Sequence, residues 1–246
     1  MDLREVPETG RSSRHPWEVA RARFFSALLR EACPSPVRVL DVGAGDGYLA
    51  RSAIASLPEG SEVHCYEPSY TDAQLSDLGA GERARVRFTR RLPDAPFDVV
   101  LALDVVEHVP DDREFLGDLV RRALRRNGRA LVSVPAWMSL FTRHDIELGH
   151  HRRYRPAQLR ALLEHCELSV ERSGGLFHSL LVPRALAKLA ERARGVRSRP
   201  EPGALGAHAD TGLSRWRAGP YVGGAVCAAL AVDTWVSWAT ERLRVP

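Results

Sequence analysis

Residues 144–155 read HDIELGHHRRYR and gather three histidines, two carboxylates, a tyrosine and a group of arginines into one short segment. Three arrangements suit those residue types. Imidazole and carboxylate ligate several divalent ions, so His144, Asp145, His150 or His151 are metal-ligand types; their spacing matches no compact ligand motif, and no metal is expected. Guanidinium groups at Arg143, Arg152 and Arg153 offer bidentate donors to an anionic acceptor, with a histidine as base. The third arrangement is a loop wall in which Asp145 pairs with Arg152 or Arg153. The titratable candidates for catalysis are His144, Asp145, His150 and Tyr154, and those for substrate binding are Arg143, Arg152 and Arg153.

A second chemical stretch lies nearer the N-terminus. VLDVGAGDGYLA (39–50) carries glycines at 43, 45 and 47 between an apolar run and a helix starting near Asp46. Glycine lets the backbone turn sharply and approach a ligand, and free N–H groups at a helix start face the same place. The dinucleotide fingerprint G-x-G-x-x-G would need its third glycine where Tyr48 stands, so the spacing disfavours a nicotinamide enzyme. Glu67, closing the run SEVHCYE, is placed to accept the hydroxyls of a ribose.

These residues need strands and helices to hold them. Pro16 opens a helix with Val19, Phe24, Phe25, Leu28 and Leu29 as its apolar positions. Strands are expected at 37–42, 61–67, 84–89, 97–104, 129–135 and 167–175, as apolar or β-branched runs of the kind covered on both faces. Helices are expected at 46–57, at 111–126 with Asn127-Gly128 as its stop, and at 156–166. Strand–helix alternation with short joints implies an α/β fold, a Rossmann-like doubly wound mostly parallel sheet with helices on both faces. The 144–155 segment then follows the fifth strand, and ligands of such sheets collect at the carboxyl ends of strands.

Composition narrows the class. The net charge of +4 comes almost wholly from arginine, since Lys188 is the single lysine, and 31 acidic residues are interspersed. No nucleic-acid partner is expected from that balance. Four scattered cysteines without a CxxC pair argue against a disulfide framework and favour a reducing compartment. MDLREVPETGRSSRHPW shows no apolar signal core, so the expected location is cytoplasmic.

On these motifs the sequence resembles the class I S-adenosylmethionine-dependent methyltransferases. VLDVGAGDG is similar to the family's glycine-rich first motif, YEPS to the segment with the ribose acid, and FDVVLALDVVEHVPDD to the fourth-strand motif. The resemblance implies S-adenosyl-L-methionine as cofactor, lined by Asp41, Gly43, Ala44, Gly45 and Gly47, with Glu67 on the ribose and Asp104 near the amino-acid end. Where many relatives carry an adenine-binding acid, this chain has Thr89, Arg90 and Arg91. His108 reads as a helix-start residue. RHPWE, EHVPDD, VSVPAW, HDIELGHHRRY and GGLFHSLLVPR further resemble a bacterial subgroup distantly similar to ubiquinone-pathway O-methyltransferases. The family's sheet closes with an antiparallel seventh strand, for which residues up to Val245-Pro246 offer no segment; either the sequence stops short of that strand or the sheet edge is finished differently and is open to pairing.

The implied organisation is a polar tail (1–15), a methyltransferase domain (16–177) and a helical extension (178–246) with a mobile linker near 196–215. The nearly uncharged 221–239 raises a membrane span, which Asp233 opposes; a packed helix, a homodimer contact or peripheral membrane contact are the other expectations. The expected function is methyl transfer, most plausibly at oxygen, to a small-molecule or lipid-like acceptor. A silent cofactor-binding scaffold or sensor is the alternative.

Overall fold

The computed structural model describes residues 14–79, 85–196, 228–230 and 232–233. A first helix, α1 (Pro16–Ala32), begins as Pro16 predicts: proline occupies the first turn, and the His15 ring accepts from the Trp17 amide at 3.1 Å. Five strands follow: β1 (Arg38–Val42), β2 (Glu62–Tyr66), β3 (Val86–Thr89), β4 (Phe97–Leu103) and β5 (Leu124–Ser133). Between them lie α2 (Tyr48–Ile54), α3 (Asp72–Gly79) and α4 (Asp112–Ala123), and after them α5 (Arg143–Glu147), α6 (Pro156–His165) and α7 (Leu181–Ala193).

All pairings are parallel and the strand order is β3-β2-β1-β4-β5. The order reverses between β1 and β4, which is where doubly wound sheets open a ligand crevice. Alternate residues of each strand feed two cores. Val39, Val63, Val99 and Leu101 pack against α1 and α2, while Leu40, Val42, Val100 and Ala102 pack against α4 and α6. Burial on both faces explains why the strands read as continuous apolar runs.

Two expectations are corrected. Residues 167–175 form no strand, and every one is exposed or half-exposed; only Leu168 and Val170 alternate as apolar positions, too few to secure a covered sheet strand. Asn127-Gly128 does not separate α4 from β5, because pairing resumes at Leu124 opposite Phe97 and jumps to Arg129 opposite Val99. The pair instead sits inside a bulge of β5, with Asn127 in the left-handed region at φ 61°.

The expected linker at 196–215 lies outside the described residues apart from Val196, as does most of the nearly uncharged stretch 221–239. Asp233 is described, and it is buried: its carboxylate accepts from the Ser179 amide at 2.8 Å, the Ser179 hydroxyl at 2.6 Å and the His178 amide at 3.1 Å. It thus satisfies free donors at the turn leading into α7. Among the described residues no helix is long and apolar enough to cross a membrane.

Candidate functional site

The crevice between β1 and β4 is floored by the glycine loop. Gly43, Gly45 and Gly47 all have left-handed φ, at 67°, 56° and 72°. A Cβ on Gly43 would lie 2.7 Å from Val105 Cγ2, and one on Gly47 would lie 2.4 Å from the Phe88 ring. Glycine is therefore required there twice over, by conformation and by space. The helix starts two residues later than Asp46; the Asp46 carboxylate accepts from the Tyr48 amide at 3.1 Å, and Gly47 is the cap residue. Arg14 ion-pairs with Asp46 and its guanidinium lies 4.0 Å over the Tyr48 ring, tying the end of the N-terminal tail to this loop.

Two acids line the loop. Asp41 is buried, and its Oδ2 has no hydrogen-bond partner among the described residues. Burial, partly offset by the Arg21 guanidinium, pushes its carboxyl up to about 6. Glu67, at the end of β2, accepts from the Ser69 hydroxyl at 2.7 Å and the Ser69 amide at 3.1 Å through one oxygen.

Across the crevice, Asp104 ends β4 in the left-handed region at φ 58°, an uncommon place for a residue other than glycine. Its side chain accounts for the position: Oδ2 pairs with Arg21 at 2.9 Å and Oδ1 accepts from the Ser133 hydroxyl at 3.1 Å. Burial alone would raise this carboxyl, yet Arg21 and Ser133 hold it below the usual range. Three residues on, Glu107 is fully buried and neither oxygen has a hydrogen-bond partner among the described residues. Burial and the Asp104 charge raise its carboxyl well above the usual range. His108 does not start a helix: it closes the short turn Val106–His108, ahead of α4, and its ring packs edge-on against His150, with centroids 4.7 Å apart.

His150 belongs to the segment after β5. That segment folds around Asp145, which has no exposed surface. Asp145 Oδ2 accepts from the Thr142 amide at 2.8 Å and Thr142 hydroxyl at 3.1 Å, closing a capping box at the start of α5. Its Oδ1 takes the Arg153 guanidinium at 2.8 Å and lies 2.9 Å from His150 Nδ1. Burial would raise the Asp145 carboxyl, but His150, Arg153 and Thr142 outweigh it and hold it far below the usual carboxylate range. An ionised carboxylate only accepts, so in the neutral ring Nδ1 carries the proton and Nε2 keeps its lone pair.

The other predicted residues are held by partners within the chain or by burial. His144 is half-buried, and burial together with Arg184 pushes it down to about 4. The Tyr154 hydroxyl donates to Asp112 at 2.8 Å, and burial with that carboxylate keeps the phenol protonated. Arg143 pairs with Glu147 at 3.0 Å, Arg152 with Asp112 at 2.9 Å, and Arg153 with Asp145. Each arginine proposed for an anionic acceptor thus already holds a carboxylate of this chain. The salt-bridged wall and the oriented histidine coexist.

A family model described as a methyltransferase domain matches residues 17–193. The chain belongs to this methyltransferase family. An uncharacterized methyltransferase of Mycobacterium sp. (strain JLS) is 35% identical over 150 residues, covering 53% of this chain and 57% of that protein. A protein of Mycolicibacterium smegmatis named a "probable S-adenosylmethionine-dependent methyltransferase" is 32% identical over 149 residues, covering 57% of this chain and 55% of its own length. The chain therefore spans little more than half the length of these curated relatives. Among solved structures, the [4+2]-cyclase SpnF superposes with TM-score 0.52 at 20% identity, over 92% of this chain and 80% of that one. A protein described as "the putative methyltransferase", solved in complex with the Haloferax volcanii Trm112 methyltransferase activator, gives TM-score 0.50 at 16% identity, over 72% of this chain and 86% of that one. At those identities the likeness concerns the fold.

S-adenosylmethionine is the cofactor of this methyltransferase family, and the crevice has the features to hold it. The glycine loop leaves no side chain between backbone and ligand, Asp41 presents an unpartnered buried oxygen, and Glu67 has a second oxygen beyond its Ser69 contacts. Glu107 was singled out by no spacing rule. The one local signal is an acid placed between Val106 and Val109 directly after the strand-end acid Asp104.

Proposed function

We propose that the chain transfers a methyl group from S-adenosylmethionine to a hydroxyl of a small or lipid-like acceptor. Asp41, Gly43, Ala44, Gly45, Gly47, Glu67 and Asp104 hold the cofactor in this reading. When bound, the sulfonium supplies an already electrophilic methyl. The work left to the chain is to align the acceptor oxygen and manage its proton. A lone pair of that oxygen forms the new O–CH3 bond, the S–CH3 electron pair returns to sulfur, and the hydroxyl proton passes to water beside the polar wall of Glu107, His108 and His150.

The observation that carries the reading is the Asp145–His150 contact, which engages Nδ1 and leaves the Nε2 lone pair to a ring that clusters with Glu107 and His108 after β4. A donor such as a hydroxyl is the chemical complement of such a wall. Exposed Trp137 and Met138, on the turn that opens this segment, with Val182, Leu186 and Leu189 exposed on α7, support an apolar body on the acceptor.

Calorimetry with S-adenosylhomocysteine and methyl-transfer assays over hydroxylated small and lipid-like acceptors test the proposal. Binding of the thioether product with transfer that His150→Ala lowers by ~10²–10⁴-fold is the expected result. Product binding without transfer to any hydroxyl would sink it.

A further inference from the structure

The wall described above has the makings of a metal centre that the segment's own spacing did not reveal. One ligand atom each from Glu107, His108 and His150 lies within 4.8 Å of the others. The set differs from the one considered along the 144–151 run, because two of its three members come from the turn after β4. Neither His144 nor His151 belongs to it, and Asp145 stands behind it.

Three observations point to an ion rather than to a chance cluster. Glu107 is 0% exposed, and neither of its oxygens finds a hydrogen-bond partner among the described residues. A carboxylate in that position is costly unless a positive charge or a proton meets it. His150 binds Asp145 through Nδ1 at 2.9 Å, and Asp145 is itself fixed by Arg153 and Thr142. A carboxylate behind a histidine is the arrangement that sets ring orientation in metal sites, and it leaves Nε2 as the ligand. Finally, two imidazoles with one carboxylate make a donor set suited to zinc and to neighbouring divalent transition ions, and three protein ligands leave positions open for substrate.

We propose that Glu107, His108 and His150 bind one divalent transition-metal ion whose open positions take the acceptor's oxygen. The inference rests on the reading of this wall as the acceptor side of a methyltransferase. It narrows the acceptor to a hydroxyl able to bind a metal, such as a phenol with a neighbouring oxygen. Coordination lowers the pKa of the bound hydroxyl; its proton passes to water, the oxygen lone pair forms the O–CH3 bond, and the S–CH3 pair stays on sulfur. Asp145 then acts as a positioning residue behind His150.

The test is metal binding by the full chain after chelator treatment, read by calorimetry with zinc or manganese and by visible absorption with cobalt, with S-adenosylhomocysteine binding measured in parallel. One ion per chain is expected. Glu107→Gln and His108→Gln, each checked for an unchanged circular dichroism spectrum, should weaken it by roughly 10-fold or more while S-adenosylhomocysteine still binds. Stoichiometry well below one, or binding equal in wild type and both variants, would overturn the metal site. If the chelated chain binds no metal yet still methylates a hydroxyl, the metal inference fails and the methyltransferase reading stands. If S-adenosylhomocysteine does not bind at all, the broader reading fails, and the metal inference resting on it falls too.

Discussion

The Nδ1 atom of His150 lies 2.9 Å from Oδ1 of Asp145, and with an ionised carboxylate there this contact decides which nitrogen of the neutral ring carries the proton. An amide at position 145 can accept through one atom or donate through the other, so Asp145→Asn loosens the choice of tautomer. Turnover should fall roughly 10–100-fold, the usual cost of losing such a supporting carboxylate. S-adenosylhomocysteine affinity should be unchanged, because Asp145 lies outside the glycine crevice. Asn retains an acceptor for Arg153, so destabilisation should stay below the roughly 3–5 kcal/mol of a buried pair stripped of one partner. Equal losses in turnover and product affinity would refute a positioning role.

His144 and Asp145 make this segment acid-sensitive in two stages. His144 titrates at about 4 in the folded chain against 6.5 ordinarily, so between those values the unfolded state binds more protons. Stability is therefore lost as pH falls from 6.5 towards 4. The depressed Asp145 carboxyl adds a loss at lower pH, since its contribution is present above the unfolded carboxylate value and disappears below it. Urea denaturation from pH 7 to about pH 2 checks both stages. His144→Asn should flatten the upper stage, and an unaltered slope in that variant would disprove the assignment.

Glycine substitutions separate conformation from space. Gly47→Ala places a methyl 2.4 Å from the Phe88 ring at φ 72°, and Gly43→Ala places one 2.7 Å from Val105 Cγ2 at φ 67°. Left-handed backbone alone costs roughly 1–2 kcal/mol for such a residue, and the contacts add to it. Both variants should unfold at lower urea and bind S-adenosylhomocysteine less well. Adding Val105→Ala to Gly43→Ala should recover part of the stability, since it relieves the contact but not the φ. No recovery would mean that the backbone strain alone carries the cost.

The sheet was legible because strands buried on both faces announce themselves as apolar runs, as Val39–Val42 and Val99–Leu103 do. The glycine loop was legible because its requirement is local: three left-handed positions demand three glycines. Residues 167–175 misled because Leu168 and Val170 alternate like a strand, yet both stay only half-buried and their neighbours are exposed. The cluster of Glu107, His108 and His150 was half visible. His150 stood out by residue type, but its value comes from Asp145, Glu107 and His108, and only the crossing from β4 to β5 brings the last two beside it. The arginines looked available for a ligand because sequence does not show that Glu147, Asp112 and Asp145 already hold them.

Asp41 links cofactor binding to stability through one orphaned oxygen. Its folded carboxyl sits at about 6 against 3.8 ordinarily, so between those values the folded state binds more protons. Stability of the cofactor-free chain accordingly declines as pH rises from about 4 to about 6 and stays lower above, by at most about 3 kcal/mol at 1.36 kcal/mol per unit. Asp41→Asn removes the charge that burial penalises. The variant should therefore lack that decline and gain on wild type between pH 5 and pH 8 in denaturant titrations, while binding S-adenosylhomocysteine more weakly. The opposing signs matter, since a residue kept only for packing would not trade apo stability against product affinity. Parallel pH profiles for the two proteins would remove Asp41 from this role.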